Sequence, residues 1–478
     1  MKHDLTMLVD LYELTMANGM LNSGEKDTIV YFDMFFRRVP DGGGYAIVAG
    51  IHQLIEYLQN LEFSSEDIKY LESLNLFNEE FIDYLKNFKF SCDVWAIPEG
   101  TPVFPKEPII TVRGPVMQAM MIETTLLLII NHQSLIATKS NRIVRAAEGC
   151  PVVEFGARRA QGASAAVFGS RAAYIGGCLG TSNLEASKLY GITPYGTMAH
   201  SWVQMFENEY DAFAAYAKNY PDNCVLLIDT YNVLKSGIKN AIKVFDDILT
   251  PLGYRPKGVR IDSGDITYLS KKIRKTLDEA GYGDCKILAS NSLDEYIIRD
   301  MRNQGAEVDN YCVGERLITA SSEPVFGGVY KLVAVEKDKK LTPRIKISEN
   351  VEKITLPGFK TIWRLFDRET NKAIADVITL KDEKINDNEP YEIFDPQHTW
   401  KRKTVTNFIA KEIKIKLFEN GKCVYNSPEV SNIQKYCLEQ IDTMWDEVLR
   451  LENPHKYYVD LSQDLWDLRQ SMLSKFSK

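Results

Sequence analysis

Residues 258–265 read Gly-Val-Arg-Ile-Asp-Ser-Gly-Asp. A short β-branched run stops at a polar turn, and a helix-length segment follows. Other runs repeat this design. Val152 to Phe155 is one. Val225 to Ile228 precedes Asp229-Thr230-Tyr231-Asn232, Lys286 to Ala289 precedes Ser290-Asn291, and Val308 to Val313 precedes Gly314. The spacing is about 25 to 35 residues, as βα units require. Ser292 and Glu295 fit a capping box, which starts a helix just after the fourth run. The pattern predicts a parallel sheet, with an α/β barrel as its closed form.

The flanks have another character. Asp10 to Met20 reads as a helix, Thr28 to Phe36 as a strand and Phe63 to Lys86 as a helical hairpin. Pro98 to Pro115 holds five prolines and is turn-rich or extended. After Phe326 the chain is β-rich, with runs at Val329 to Val335, Thr361 to Phe366, Lys372 to Leu380 and Lys411 to Phe418. Leu438 to Leu451 reads as an amphipathic helix. The expected domains are therefore 1–130 (α+β), 131–335 (the barrel with the active site) and 336–478 (β-rich and helical, packed on the first).

The 478 residues are 45% hydrophobic and 26% charged, with a net charge of -8. This suits a globular enzyme and excludes disorder and collagen-like structure. The acidic balance argues against a nucleic-acid partner. The greasiest stretch, Leu126 to Ile130, is interrupted by Glu123, Asn131 and His132, well short of the ~20 residues of a membrane span. It reads as a buried helix. Eight scattered cysteines without a CxxC pair, and no hydrophobic leader, fit a reducing cytoplasm.

Three signals suggest chemistry. Asp229, Asp262, Asp265, Ser290 and Asn291 fall at strand ends, where an α/β barrel builds its active site. The competing reading is that they cap helices. Residues 139–171 carry Lys139, Arg142, Arg145, Arg158, Arg159 and Arg171 against Glu148 and Glu154, and six glycines crowd residues 156–180. Arginine forks and exposed glycine N–H groups suit phosphate or carboxylate. The alternative is surface arginines and packing glycines. His200 follows a Gly-Thr turn, although a lone histidine is often structural. His3, His52, His132, His398 and His455 show no spacing for a zinc site. Phosphate-loop, GxSxG, HExxH and strand-borne GxGxxG motifs are absent. Lys401-Arg402-Lys403 and the lysines of Lys411 to Lys416 read as solvated faces. Glu336 to Lys346 reads as a charged hairpin.

Three motifs now combine: Glu154-Phe155-Gly156-Ala157-Arg158-Arg159-Ala160-Gln161-Gly162, Gly196-Thr197-Met198-Ala199-His200-Ser201 and Val259-Arg260-Ile261-Asp262-Ser263-Gly264-Asp265. Together they resemble the nicotinate phosphoribosyltransferase family. Asp10-Leu11-Tyr12-Glu13-Leu14-Thr15-Met16, Asn131-His132-Gln133-Ser134-Leu135 and Gly327-Gly328-Val329-Tyr330-Lys331-Leu332-Val333 add to the likeness.

The resemblance implies an irregular α/β barrel of the type II phosphoribosyltransferase kind, and a ligase-type enzyme of NAD salvage. Such enzymes condense nicotinate with 5-phosphoribosyl 1-pyrophosphate, coupled to ATP hydrolysis. It implies Mg²⁺ carried by the phosphates, a homodimer, and a phosphohistidine at His200. Tyr12, Thr197 and Arg260 would contact nicotinate, and Thr319 the phosphoribosyl donor. Arg158 and Arg159 would clamp phosphate or carboxylate. Asp262 would hold ribose hydroxyls or Mg²⁺-bound water, and Gly327 and Gly328 would lie by phosphate. Many family members have Gly-Thr where this chain has Gly314-Glu315. A glutamate there is unfavourable unless Arg316 neutralises it. Rival readings are a nicotinamide-specific transferase, a non-catalytic metabolite sensor and a sugar-phosphate lyase or aldolase.

Overall fold

The computed structural model describes residues 4–476, so His3 lies outside the described residues. The chain forms two compact units. One is Ile136–Pro324, and the other joins the chain up to Leu135 with the chain from Val325 onward.

The Ile136–Pro324 unit is built on six parallel strands. Their order is Gly180–Thr181, Val152–Glu154, Asn310–Val313, Lys286–Ala289, Gly258–Ile261 and Val225–Leu227. Valine, isoleucine and leucine dominate because strands covered on both faces need apolar residues on both. Val152, Leu226, Val259, Ile287 and Val313 are all buried. Helices follow the strands, including Ala163–Ile175, Ile266–Glu279 and Glu295–Asn303. The expected parallel α/β arrangement is present. Its hydrogen-bonded ladder remains open, because no pairing joins Gly180–Thr181 to Val225–Leu227 among the described residues. The Gly-Thr edge strand was not foreseen, since two residues carry no periodicity. The capping box also fails. Asp294 is the N-cap and accepts from the N–H groups of Tyr296 and Ile297. Ser292 instead sits in a turn at φ 44°. Glu295 turns inward to the cations of a neighbouring helix.

The other unit holds a seven-stranded sheet that gathers distant parts of the chain. Ile29–Phe35 lies between Val329–Lys337 and Ile110–Pro115, while Ile415–Glu419 pairs with Asp93–Ala96. Val329–Lys337 returns through Asp338 and Lys339, both at positive φ, into Lys340–Pro343, the expected charged hairpin. A second sheet has four strands in the order Phe408–Glu412, Lys360–Asp367, Ala373–Leu380 and Val459–Leu461.

Three expectations change here. The run at Lys411 to Phe418 is two strands that break at Ile413 and Lys414. Lys414 is not solvated. It is buried and donates to Thr111 Oγ1 at 2.5 Å, and that hydroxyl donates to Asp33 at 2.5 Å. Burial pulls its pKa down to about 7. The C-terminal amphipathic helix is Val430–Asp442, so it starts eight residues before the expected Leu438. Val116–Ala146 is also long and apolar enough to cross a membrane by composition. Its most apolar window is 67% buried within the protein, which fits a core helix.

Candidate active site

Parallel strands place their carboxyl ends along one edge, and the polar residues after each run collect there. Asp229 is the hub. Its Oδ1 lies 3.1 Å from His200 Nε2, while Oδ2 accepts from Asp262 N–H at 2.9 Å and Ser263 Oγ at 2.7 Å. Its side chain is only 1% exposed, so the carboxylate is held by its partners rather than by water. Ser290 Oγ donates to Asp262 Oδ1. His200, from the 196–201 motif, and the strand-end residues Asp229, Asp262 and Ser290 thus form one hydrogen-bonded chain. Asp265 behaves as the helix cap of the competing reading, accepting from Tyr268 N–H.

A carboxylate only accepts hydrogen bonds. Asp229 therefore keeps the proton on His200 Nε2 and leaves the lone pair on Nδ1. The His200 side chain as a whole is 39% exposed, open to solvent and ligand alike.

Arg260 begins a second cluster. Its guanidinium donates to Thr197 Oγ1 and, at 3.4 Å, to the Met198 carbonyl. Its buried Nε–H has no partner among the described residues. A buried guanidinium N–H left unpaired costs on the order of 1–3 kcal/mol.

The basic island divides. Lys139 and Arg142 are buried on Glu295 at 2.8 and 2.9 Å, and Arg171 is buried with its guanidinium over the Tyr190 ring. Arg145 is half-buried, and Arg158 and Arg159 are exposed, as an anion site would need. Residues 157–159 form a single tight turn after the Val152–Glu154 strand. Glu154 anchors it by accepting from Gly156 N–H, Ser170 Oγ and Thr181 Oγ1, and burial raises its pKa. A Cβ on Gly156 would lie 2.6 Å from Ile318 and 2.7 Å from the Gly314 carbonyl. The two loops therefore meet in backbone contact, and glycine is required. The expected Arg316–Glu315 neutralisation is not found. Arg316 pairs with Asp294, and Arg159 pairs with Glu315 at 3.3 Å. Thr319 Oγ1 donates to the Glu315 carbonyl at 2.7 Å.

Tyr12, Gly327 and Gly328 belong to the other unit. Tyr12 is exposed, and partial burial, with Glu123 next, pushes its pKa up to about 12. Gly328 N–H donates to Asn131 Oδ1 at 3.2 Å, and a Cβ there would collide with that amide. This unit also has a cleft of about 510 Å³ beside Asp367, Lys403, Trp445, His455 and Tyr458. None of the residues given a catalytic or substrate-binding role from the sequence lines it.

No cluster of three metal-ligating side chains occurs among the described residues. Asp229 is fully occupied, whereas Asp262 Oδ2 carries no hydrogen bond among them. This donor set fits a Mg²⁺ that arrives on phosphates, keeps its waters and needs one carboxylate.

These residues define an α/β protein with a hydrogen-bonded polar cluster at the carboxyl edge of its parallel sheet. Comparison with known proteins sharpens this. Family models described as the nicotinate phosphoribosyltransferase N-terminal domain, family and C-terminal domain match residues 7–131, 150–317 and 359–469. A nicotinate phosphoribosyltransferase of Bacillus subtilis (strain 168) is 44% identical, over 97% of this chain and 94% of its own. The crystal structure of human nicotinic acid phosphoribosyltransferase matches with a TM-score of 0.86 at 28% identity, over 98% of this chain and 100% of its own. A nicotinate-nucleotide pyrophosphorylase structure from Pyrococcus furiosus, at 24% identity and TM-score 0.70, shares the fold. The chain belongs to the nicotinate phosphoribosyltransferase family.

Proposed function

We propose that this enzyme condenses nicotinate with 5-phosphoribosyl 1-pyrophosphate to give nicotinate mononucleotide and pyrophosphate in NAD salvage. ATP hydrolysis drives the reaction through a phosphohistidine at His200. The observation that carries the substrate choice is the buried, unpaired Nε–H of Arg260 beside Thr197. A carboxylate satisfies it, whereas the neutral amide of nicotinamide loses the charge-assisted bond. Tyr12 supplies a ring face for the pyridine.

Displacement at the anomeric carbon builds positive charge on the ribose and negative charge on the leaving pyrophosphate. Arg158 and Arg159 neutralise the latter, and Thr319 contacts the phosphoribosyl donor. Asp262 orients ribose hydroxyls or Mg²⁺-bound water. Bound Mg²⁺ supplies charge neutralisation at the phosphates. Asp229 fixes the His200 ring so that Nδ1 attacks the γ-phosphorus of ATP. The bond to the bridging oxygen breaks, ADP leaves, and water later hydrolyses the phosphohistidine to phosphate.

The homodimer belongs to the same proposal. Leu11, Tyr12 and Met16 are exposed on the Leu11–Asn22 helix and Leu8 just before it, which supports a second copy of the chain docking there. Eight free cysteines, six of them buried, support a cytoplasmic location.

The test is product formation from nicotinate, the phosphoribosyl donor and Mg²⁺, with and without ATP, for wild type and His200→Ala. The variant should keep a slow reaction that ATP no longer stimulates. Full stimulation would refute the phosphohistidine, and equal turnover of nicotinamide would refute the Arg260 assignment.

A further inference from the structure

The Arg159–Glu315 pair is unusual for its place. Two loops that meet through backbone, Gly156 against the Gly314 carbonyl, present the two side chains outward. Arg159 Nε stands 3.3 Å from Glu315 Oε2, and the side chains are 58% and 56% exposed. Neither is needed to close the contact beneath them. Thr319 is held by the Glu315 backbone carbonyl, not by its carboxylate. Arg316 is committed to Asp294, and Arg158 has no partner among the described residues. The carboxylate therefore takes one of two exposed arginines and leaves the other open.

From this geometry we infer that Glu315 is a specificity-determining residue, an internal anion that occupies Arg159 and competes with the anionic phosphate groups of the donor. The inference rests on the reading of Arg159 as a phosphate ligand. A guanidinium fork serves one carboxylate or one phosphate well. A polyanion entering this site has to release Glu315 and then remains beside its charge. Exposed pairs are weak, so the carboxylate can be displaced. It tunes affinity without blocking the site.

The experiment is calorimetric titration of the full-length protein with inorganic pyrophosphate at low salt. Wild type is compared with Glu315→Gln, Arg159→Gln and the double variant. Glu315→Gln should tighten binding about 1.4-fold to fivefold. The gain should vanish in the Arg159→Gln background and shrink at 1 M salt, where screening acts within ~3 Å. In turnover, Glu315→Gln should lower the KM for the donor and leave that for nicotinate unchanged. Unchanged pyrophosphate affinity would overturn the inference. So would weaker binding that more Mg²⁺ restores, which would make Glu315 a partner of the metal. The titration needs no turnover. A protein that shows the Glu315 effect but makes no nicotinate mononucleotide would sink the proposed function and leave this inference standing.

Discussion

Asp229→Asn removes a charge while keeping the shape of the hub. Two carboxylate oxygens now serve three donors: His200 Nε2–H, Asp262 N–H and Ser263 Oγ–H. An amide offers one oxygen and one NH₂. If the oxygen stays with Asp262 and Ser263, the NH₂ faces His200, which must then accept at Nε2. The ring proton moves to Nδ1, and the nucleophilic lone pair is lost. The flipped amide would set its NH₂ against the Asp262 N–H and leave that donor unpaired, at about 1–3 kcal/mol. The wrong tautomer is therefore the cheaper outcome. Loss of one charge-assisted hydrogen bond, about 1.5–3 kcal/mol, lowers the rate roughly 10- to 150-fold. The asparagine variant of the serine-protease triad sets an upper limit near 10⁴-fold. The assay is transfer of radiolabelled γ-phosphate from ATP to the protein, read in single turnover, with the ATP-independent rate as control. Labelling should fall by at least tenfold while the basal reaction persists. Labelling at the wild-type rate would refute the claim that Asp229 sets the tautomer.

Arg260→Ala should raise the KM for nicotinate far more than that for the phosphoribosyl donor, and an unchanged nicotinate KM would refute the carboxylate pairing. Lys414 binds fewer protons when folded than when unfolded between its lowered value of about 7 and its ordinary value, so its contribution makes stability rise with pH across that window. Lys414→Met should flatten that slope in thermal unfolding followed from pH 7 to pH 10, and an unaltered slope would mean the lysine stays charged. Gly156→Ala should cost about 1–3 kcal/mol, because its Cβ meets backbone and a β-branched side chain. Urea unfolding measures this, and the KM for the donor should rise with it.

Gly258–Ile261 and Lys286–Ala289 are strands where the β-branched runs placed them, since period and turn chemistry are local properties. Asp229 stood out as a strand-end residue, but nothing local tied it to His200, 29 positions earlier. Glu154 enters the sequence reading as a charge against the arginines and as the first residue of a motif, without a role of its own. Its place at the end of a strand before a glycine was the available signal. Lys139 and Arg142 count in the sequence toward a basic stretch, and their partner Glu295 lies about 150 residues away, beyond any local pattern.

The sequence by itself determined the alternation of strand and helix, the polar turns that follow the strands, and the motif set that marks the family. These depend on neighbours within a few residues. Tertiary structure alone decided which arginines stay free, which carboxylate holds His200, that Arg159 rather than Arg316 faces Glu315, and that Lys414 is buried. Each depends on strand order and loop approach. A side chain's partner is set by which distant backbone segments pack together, and residue type alone does not carry that information.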